Sequence, residues 1–313
     1  MQNNSQLSPK MLVAEAALLL NTSVQNIHKK IKDKKLPIKK SQNRVYFGHA
    51  AAKEIFDFNI EPKVFSFQLV KGGVGKTAIS FNFAVRSALI GAKVAIIELD
   101  QQSNLTRTFG VDHSETPVMI DIVKERLNIE DHLVNVSEGI DILPSRVDNA
   151  LLDNVLMLEK HPLDKVFRRP IQHLKKKYDV IIIDCPPSIS AAVSAAALAS
   201  DVIVMPVNPT DYAVAGLELT HKELKDLFEQ YELQSELKIL FNKYDGRTSM
   251  SFNIMEELIK HPEYGPLLIQ SYIRSSQGIE NYISEGKSVF DTVKQTNERE
   301  DFSIVSQILL GIS

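Results

Sequence analysis

Residues Leu69–Asn82 read LVKGGVGKTAISFN, a glycine-rich turn between an apolar strand pattern and a helical pattern. A phosphate-binding loop requires this context. The segment departs from the usual pattern G-x-x-x-x-G-K-[ST] only at its first position, where Val70 replaces a glycine. Lys71 follows directly. The stretch is therefore either a damaged nucleotide site or a site that uses this additional lysine.

The composition of the loop favours a working nucleotide site. Glycines allow successive backbone N–H groups to converge on phosphate oxygens, and the helix that follows adds the positive end of its dipole. We expect Lys76 to reach the β- and γ-phosphates of ATP, and the hydroxyl of Thr77 to bind Mg²⁺. The predicted nucleotide-binding residues at this loop are Lys71, Gly72, Gly73, Val74, Gly75, Lys76 and Thr77.

Apolar strands alternate with helices from Val64 onward. The strand segments are nearly continuous apolar runs, and YDVIIID is too apolar to have a face in water; the others are KVFSFQLV, KVAIIEL, DVIVMPV and LKILFNK. This pattern predicts an α/β fold, with a parallel sheet covered by helices on both faces. Pro62 interrupts the pattern just before the first of these strands. We therefore expect a small N-terminal domain, residues 1–60, and a P-loop ATPase domain, residues 61–313.

Two acidic residues stand at strand ends, where ligands of parallel sheets bind. Asp184 ends YDVIIID, the position at which an aspartate holds Mg²⁺ through its water shell. Asp100 ends KVAIIELD and is close enough in the expected fold to position an attacking water molecule. Together with the loop, these carboxylates predict an Mg²⁺-dependent ATPase in which Lys76 and Asp100 are catalytic.

Four segments in order, KGGVGKT, IIELDQQSNLT, YDVIIIDCPPS and FNKYDGRT, resemble the ParA/MinD family of deviant Walker A ATPases, and most closely its ParA partition ATPases. The resemblance extends from about Val64 to Lys294. It implies that Lys71 is a further catalytic residue, which reaches across a nucleotide-sandwich homodimer to the partner's phosphates, so that ATP drives dimerisation. It also implies that Asn242 contacts adenine, although a strand-end turn residue is the alternative.

The loop after the second strand departs from the family pattern D-x-D-P-Q. It reads E-L-D-Q-Q here, so Gln101 replaces a proline that stiffens the turn. We expect a more mobile loop, with hydrolysis that is slower or depends more on a partner. Ala78 stands where the family often has a second threonine, which removes one hydroxyl group but leaves Thr77.

Charge and cysteine content limit the remaining functions. The formal net charge of −3 is uneven, because ten basic and four acidic residues through Ile60 give +6 and leave −9 for the rest. Cys185, the only cysteine, cannot form an internal disulfide and cannot by itself ligate a metal cluster. We expect no signal peptide and no transmembrane helix, hence a cytoplasmic protein. The ParA resemblance further implies that it is nucleoid-associated. The apolar C-terminal segment REDFSIVSQILLGIS lacks lysine, which favours a docking helix over a membrane anchor.

The basic N-terminal segment, Ser8 to Phe58, resembles winged helix-turn-helix domains of the MerR and excisionase type. Larger ParA proteins use such a domain for operator binding and autoregulation. The resemblance implies base contacts in the major groove and phosphate contacts around them. The predicted DNA-binding residues of this segment are Gln25, Asn26, Lys29, Lys30 and Arg44. A degenerate domain that only packs on the dimer or binds protein is the alternative.

A second DNA surface is expected on the ATP-bound dimer, where the family uses basic residues of late helices. Arg274 and Lys287 are the main candidates, with Lys243 as a further one. Arg247 either joins them or forms an ion pair with Asp245, and the sequence leaves this open.

The sequence thus predicts a DNA-segregation ATPase, for plasmid or chromosome partition, that is stimulated by a ParB-type partner and represses its own gene. A ParA-like ATPase that positions a protein cargo is one alternative, and a nucleotide-sensing transcription regulator is another. The cargo, the operator and the partner's identity are not encoded in any of these patterns.

Overall fold

A computed structural model describes residues 7–112, 114–210 and 213–312 of the protein. The first six residues, which belong to the segment expected to lack a signal peptide, lie outside the described part.

The N-terminal segment, residues 7–58, contains two consecutive helices, a hairpin and a third helix. Its elements are β1 Met11–Leu12, α1 Val13–Leu19, α2 Val24–Asp33, β2 Lys39–Ser41, β3 Arg44–Phe47 and α3 His49–Phe56. Ser23 caps α2, because its side chain accepts a hydrogen bond from the Asn26 amide. Gln42 and Asn43 both have positive φ, which suits the tight turn between β2 and β3. The expected order of helix, turn, helix, hairpin and helix is present, and β1 is an additional strand that joins the hairpin.

The body is built on an eight-stranded sheet. Its strands are β4 Lys63–Phe67, β5 Val94–Glu98, β6 Val134–Ser137, β7 Ile140–Leu143, β8 Val180–Asp184, β9 Val202–Val207, β10 Glu236–Tyr244 and β11 Leu268–Arg274. Their order across the sheet is β11-β10-β9-β4-β8-β5-β7-β6. All neighbours are parallel except the edge pair β6 and β7, which is antiparallel. The expectation of a parallel sheet therefore needs correction at this edge, where Gly139 allows a short hairpin.

Helices connect the strands and cover both faces of the sheet. They are α4 Lys76–Leu89, α5 Asn104–Thr108, α6 Met119–Glu125, α7 Leu152–Leu158, α8 Leu163–Val166, α9 Arg168–Leu174, α10 Ala191–Ala199, α11 Ala213–Tyr231, α12 Ser249–Lys260, α13 Gln277–Ser284 and α14 Asn297–Leu310.

Alternate residues of the central strands pack into different cores. Phe65 and Phe67 of β4 pack with α4, whereas Val64 belongs to a second core formed with α6, α7, α9 and α10. A third core lies under α11 and α12. Because side chains alternate across a strand, both faces of β4 are buried, as its continuous apolar sequence indicates.

The N-terminal segment shares one core with the body. Met11, Phe47 and Phe56 belong to the same buried cluster as Phe81 and Phe83 of α4. The sequence pattern therefore changes at the predicted domain boundary near residue 60, but the packed core is continuous across it.

The C-terminal helix α14 is a docking helix of the body. Phe302, Val305 and Leu309 lie in the core that contains α4, as the composition of this segment predicts. Within the described residues, no helix has the length and apolar character needed to span a membrane.

Candidate nucleotide site

A cavity of about 620 Å³ opens at the carboxyl edge of the sheet. It is lined by phosphate-loop residues between Gly72 and Ile79, by Asp100 to Gln102 after β5, by Asn242 and Lys243 near the end of β10, and by residues at and after the end of β11. The strand ends meet here because parallel strands present the same end at one edge. The predicted phosphate, water-positioning and adenine residues are therefore brought to a single cavity.

Gly75 shows why the loop needs glycine. Its φ is 93°, and a Cβ placed on it would lie 2.3 Å from Nδ2 of Asn242. That amide nitrogen donates to the Val74 carbonyl at 2.7 Å. Asn242 therefore supports the back of the phosphate loop from the end of β10. Its predicted contact with adenine stays a prediction.

Lys76 is only 7% exposed at the first turn of α4. Its Nζ donates to the carbonyls of Leu69, at 3.2 Å, and Lys71, at 3.3 Å, so the ammonium lies within the curve of the loop. Burial lowers the pKa of Lys76, although the carboxylate of Asp184 acts in the opposite direction. A buried cation that is held by backbone carbonyls is well suited to phosphate oxygens.

Asp184 is buried at the end of β8 and accepts two hydroxyl hydrogen bonds. Thr77 donates to one carboxylate oxygen at 2.9 Å and Ser80 to the other at 2.8 Å. Burial raises the pKa of Asp184 to about 6, against the effect of these hydrogen bonds and of the Lys76 charge. The hydroxyl and carboxylate fit a hydrated Mg²⁺, which prefers oxygen ligands and keeps several waters. No group of three or more His, Cys, Asp or Glu side chains in the described ranges could hold a metal ion by itself.

Asp100 lies at the cavity wall and is 7% exposed. Its Oδ1 accepts a hydrogen bond from the Gln102 amide at 3.0 Å. The carboxylate is thus tied to its own loop, with Gln101 and Gln102 facing the same cavity.

Lys71 takes a different direction from Lys76. Its Nζ donates to Oγ1 of Thr210 at 2.5 Å, in the segment after β9. Lys71 and Lys76 belong to the same loop but therefore contact different groups within one chain.

One wall of the cavity was missed by the sequence reasoning. Arg274 ends β11, and Ser275 to Gln277 follow it into α13. Ser276 caps α13 by accepting from the Gly278 amide at 3.1 Å. The strand-end rule that identified Asp100 and Asp184 would also have found these residues, had β11 been recognised.

Arg274 is engaged by carboxylates at this wall. Its Nε lies 2.9 Å from Oδ2 of Asp301, and its Nη2 lies 3.0 Å from Glu300. Hydrogen bonding to Asp301 raises the pKa of this guanidinium. Lys287 pairs with Glu285 at 2.8 Å at the surface. The DNA contacts expected of Arg274 and Lys287 stay predictions.

Arg247 forms the ion pair that the sequence left open. Its Nε and Nη2 each donate to one oxygen of Asp245 at 2.8 Å. This fork geometry holds the turn after β10, and Asp245 has a pKa lowered to about 2 by the hydrogen bond from Arg247.

The five DNA-binding candidates of the N-terminal segment divide into two groups. Gln25, Asn26 and Lys29 are exposed on α2, and the Asn26 side chain donates to Thr22 at 3.0 Å. Lys30 instead donates from Nζ to the carbonyl of Ile55 at 2.5 Å. Arg44 donates from Nη1 to the carbonyl of Val293, also at 2.5 Å, and so contacts the body.

Comparison with known proteins identifies the body. Residues 62–239 match a family model described as an AAA domain. An uncharacterized protein of Pseudomonas putida is 33% identical over 217 residues, covering 67% of this chain and 80% of the relative. The sporulation initiation inhibitor protein Soj of Bacillus subtilis is 29% identical, with 64% and 79% covered. A virulence plasmid ParA family protein of Chlamydia psittaci is 27% identical, with 76% and 91% covered.

Solved structures share the fold. An ATP complex of a Cyanothece McdA variant gives a TM-score of 0.73 at 20% identity, covering 82% of this chain and 98% of the other. A plasmid partition protein of Borrelia burgdorferi gives 0.62 at 21%, with 80% and 99% covered. Cobyrinic acid a,c-diamide synthase of Mycobacterium smegmatis, with an ATP analogue and magnesium bound, gives 0.66 at 22%, with 80% and 94% covered. At these identities the likeness concerns the fold alone.

Proposed function

The chain belongs to the AAA domain family and is a ParA-type P-loop ATPase, and we propose that it hydrolyses ATP to segregate DNA. The observation that carries this proposal is that Lys76, Thr77 and Asp100 line one cavity, with the buried Asp184 bonded to Thr77, and with Lys71 in the same loop. ATP, when bound with Mg²⁺, supplies the phosphoryl group that water attacks. Lys76 neutralises phosphate charge, Thr77 and Asp184 hold the hydrated metal, and Asp100 orients the water.

Lys71 links this chemistry to dimerisation. Its ammonium bonds to Thr210, outside the curve of the loop in which Lys76 lies. A cation in that position can stabilise a phosphate group only when a second subunit supplies that phosphate. We therefore propose an ATP-dependent homodimer in which each Lys71 leaves Thr210 and contacts the phosphates of the partner.

Replacement of Asp100 tests the assigned chemistry. Asp100→Ala keeps the phosphate and metal ligands, so it should bind ATP and dimerise, while turnover falls at least tenfold because the water is no longer oriented. Light scattering gives the mass, and phosphate release gives the rate. Asp226→Ala, an exposed change on α11, is the matched control. A normal rate in Asp100→Ala would assign the water-positioning role to another group.

DNA is the proposed cargo because of the N-terminal segment. This segment has two consecutive helices, a hairpin and a formal charge of +6. Gln25, Asn26 and Lys29 are exposed together on its helix α2. We propose that α2 reads operator bases in the major groove, that Lys30 and Arg44 support it, and that a dimer places two such segments on an inverted repeat. Arg274 and Lys287 are proposed to contact random DNA in the dimer. A ParB-type partner is proposed to stimulate hydrolysis.

Salt titrations separate these two DNA activities. Replacing Gln25 and Asn26 by alanine should reduce discrimination between operator and random duplexes by roughly 1–3 kcal/mol for each base that is no longer read. Replacing Lys287 should weaken binding to all sequences and reduce the salt dependence, because only phosphates are involved. Lys222→Ala on α11 is the control. Unchanged operator preference in the Gln25 and Asn26 variant would remove α2 from sequence reading.

A protein-positioning ATPase is the alternative. The likeness to McdA concerns the fold, so it does not favour that cargo over DNA. The rate of ATP hydrolysis distinguishes these functions. It is measured with DNA alone, with the product of an adjacent gene alone, and with both together. Stimulation that needs DNA and a DNA-binding partner supports segregation, whereas an operator footprint without stimulated hydrolysis supports a transcription regulator.

A further inference from the structure

The loop that carries Asp100 needs support from outside itself. Gln101 follows Asp100 without the restriction that a proline ring would give. Ser103 ends the loop with φ 55°, a left-handed conformation that is unfavourable for a residue with a side chain. Two side chains, Glu98 and Arg107, contact the loop and the helix after it.

Glu98 fixes the inner side of the loop. Its carboxylate, fully buried at the end of β5, accepts hydrogen bonds from the Leu105 amide at 2.8 Å and the Thr106 amide at 2.9 Å. The Thr106 hydroxyl also donates to it at 2.5 Å and itself accepts from the Ser145 amide at 2.9 Å. A carboxylate at the start of a helix satisfies its first amides. The start of α5 is thereby attached to the end of β5 and to the segment that follows β7.

Arg107 holds the outer side of the same loop. Its Nε donates to the Ser103 carbonyl at 3.3 Å, and its Nη2 donates to Asn104 Oδ1 at 3.0 Å and to the Gln102 carbonyl. The guanidinium thus closes over the left-handed turn at Ser103. The amide of Gln102 donates to Asp100, and the carbonyl of Gln102 accepts from Arg107. Arg107 therefore holds the same residue whose amide orients the Asp100 carboxylate.

We propose that Glu98 and Arg107 are positioning residues for Asp100. They hold the loop from its two sides and keep the carboxylate in the orientation that turnover needs. This inference rests on the proposed function, in which Asp100 orients the attacking water. In this proposal Arg107 acts by holding the loop in place through its hydrogen bonds, and not by binding phosphate or DNA through its positive charge.

Substitutions at exposed Arg107 test the proposal without disturbing the core. In the full chain with saturating double-stranded DNA, Arg107→Ala and Arg107→Lys should both lower kcat for ATP about tenfold, because small misplacements of a catalytic group are costly. Lysine keeps the charge but lacks the fork of donors. KM and the affinity for a fluorescent ATP analogue should not change. Arg169→Ala on α9 is the matched control. Normal kcat in Arg107→Lys, or a raised KM in Arg107→Ala, would overturn the geometric role.

A second substitution provides a rescue. Gln101→Pro in the Arg107→Ala background should restore most of kcat, since the ring restricts the loop directly. A purely structural loss at Arg107 would not be repaired in this way, so absence of rescue contradicts the proposal. Glu98→Gln keeps an acceptor oxygen and should therefore retain a higher kcat than Glu98→Ala. Equal kcat values for these two variants would exclude a positioning role for Glu98.

Asp100→Ala separates failure of this inference from failure of the proposed function. If Asp100→Ala turns over normally, the water-positioning function is wrong and the inference falls with it. If Asp100→Ala is inactive while both Arg107 variants have normal kcat, only the positioning role is wrong.

Discussion

Lys71 and Lys76 belong to one loop but have different surroundings. Lys76 is buried and bonded to two loop carbonyls, whereas Lys71 reaches Thr210 after β9. The same residue type therefore occupies two different environments, which depend on where the backbone directs each side chain.

Alanine substitutions should separate the two lysines. Lys76→Ala should abolish nucleotide binding, because the phosphates lose their buried counter-charge. Lys71→Ala should bind ATP as a monomer but lose dimerisation and hydrolysis. Calorimetry measures the affinity and light scattering measures the mass, with Lys222→Ala as a control. Intact ATP-dependent dimers of Lys71→Ala would exclude contact with the partner's phosphates.

Asp184 predicts a pH dependence of metal binding. Its pKa, raised to about 6 by burial, means that the carboxyl is protonated below pH 6 and ionised above it. Mg²⁺ needs the ionised form, so its affinity should fall about tenfold for each pH unit below 6 and stay constant above about pH 7. Magnesium titrations of the ADP-bound protein at pH 5, 6 and 7.5 measure this.

The nucleotide titrates in the same range, so Asp184→Asn is the control for that experiment. It retains the phosphate contribution but lacks the carboxyl. The pH dependence should therefore be weaker in Asp184→Asn, and an identical dependence in both proteins would assign it to the nucleotide alone.

Helix α4 connects the nucleotide site with the N-terminal segment. Its first residues form the phosphate loop, and its last turn contacts the segment, where the Ala88 carbonyl lies 2.8 Å from Nδ1 of His49. Gly91, just after the helix, has φ 96° and lies against α3, since a Cβ there would be 2.6 Å from Cα of Lys53. The end of α4 is thus shaped for close contact between two backbones.

Gly91→Ala should destabilise this contact. The added Cβ strains the backbone and meets α3, so we expect a loss of about 1–3 kcal/mol in the free energy of unfolding. Gly110→Ala is a matched control, because Gly110 also has positive φ but nothing within 4 Å of an added Cβ. Denaturant unfolding measures both. Equal losses would show that backbone strain, without the clash, accounts for the effect.

Over the whole molecule, a buried ion-pair cluster joins the two ends of the chain. Glu15 of α1 lies 2.5 and 2.8 Å from two nitrogens of Arg299 in α14, and 4.0 Å from Arg86 of α4. Both guanidiniums lie near the ring of Phe290. Burial acts to raise the pKa of Glu15, but the hydrogen bond and charge of Arg299 outweigh it and lower that pKa. One carboxylate thus compensates two buried arginines.

Glu15→Gln should therefore loosen the N-terminal segment. Removing the carboxylate leaves two buried cations without a counter-charge, which we expect to cost about 3–5 kcal/mol in unfolding free energy. Glu54→Gln, which breaks only the exposed pair with Lys34 at 2.9 Å, should have no measurable effect. Thermal unfolding and proteolysis near residue 60 report the change. Equal stability of the two variants would contradict the cluster's role.

The same cluster makes deletion of residues 1–60 a poor test of DNA binding. It would expose Arg86, Arg299 and the apolar face of α4 at once, so loss of activity would not report on DNA contacts. Single substitutions on α2 avoid this difficulty.

Local sequence patterns determined most of the elements and which residues meet at the candidate site. The glycine-rich turn before a helix predicted the phosphate loop, and apolar strands that end in Asp100 and Asp184 predicted where the carboxylates lie. These features are local, because a strand end and the following turn are written in adjacent residues. The two helices and hairpin of the N-terminal segment were predictable for the same reason.

Only the tertiary structure decided how distant segments meet. The Arg274 wall, the Glu15–Arg299 pair and the docking of the N-terminal segment on α4 join residues that no periodicity relates. Arg44 and Lys30 look like exposed cations in the sequence, yet each donates to a backbone carbonyl. The physical reason is that a long basic side chain takes its partner from whatever packing brings within reach, and packing is set by the whole chain.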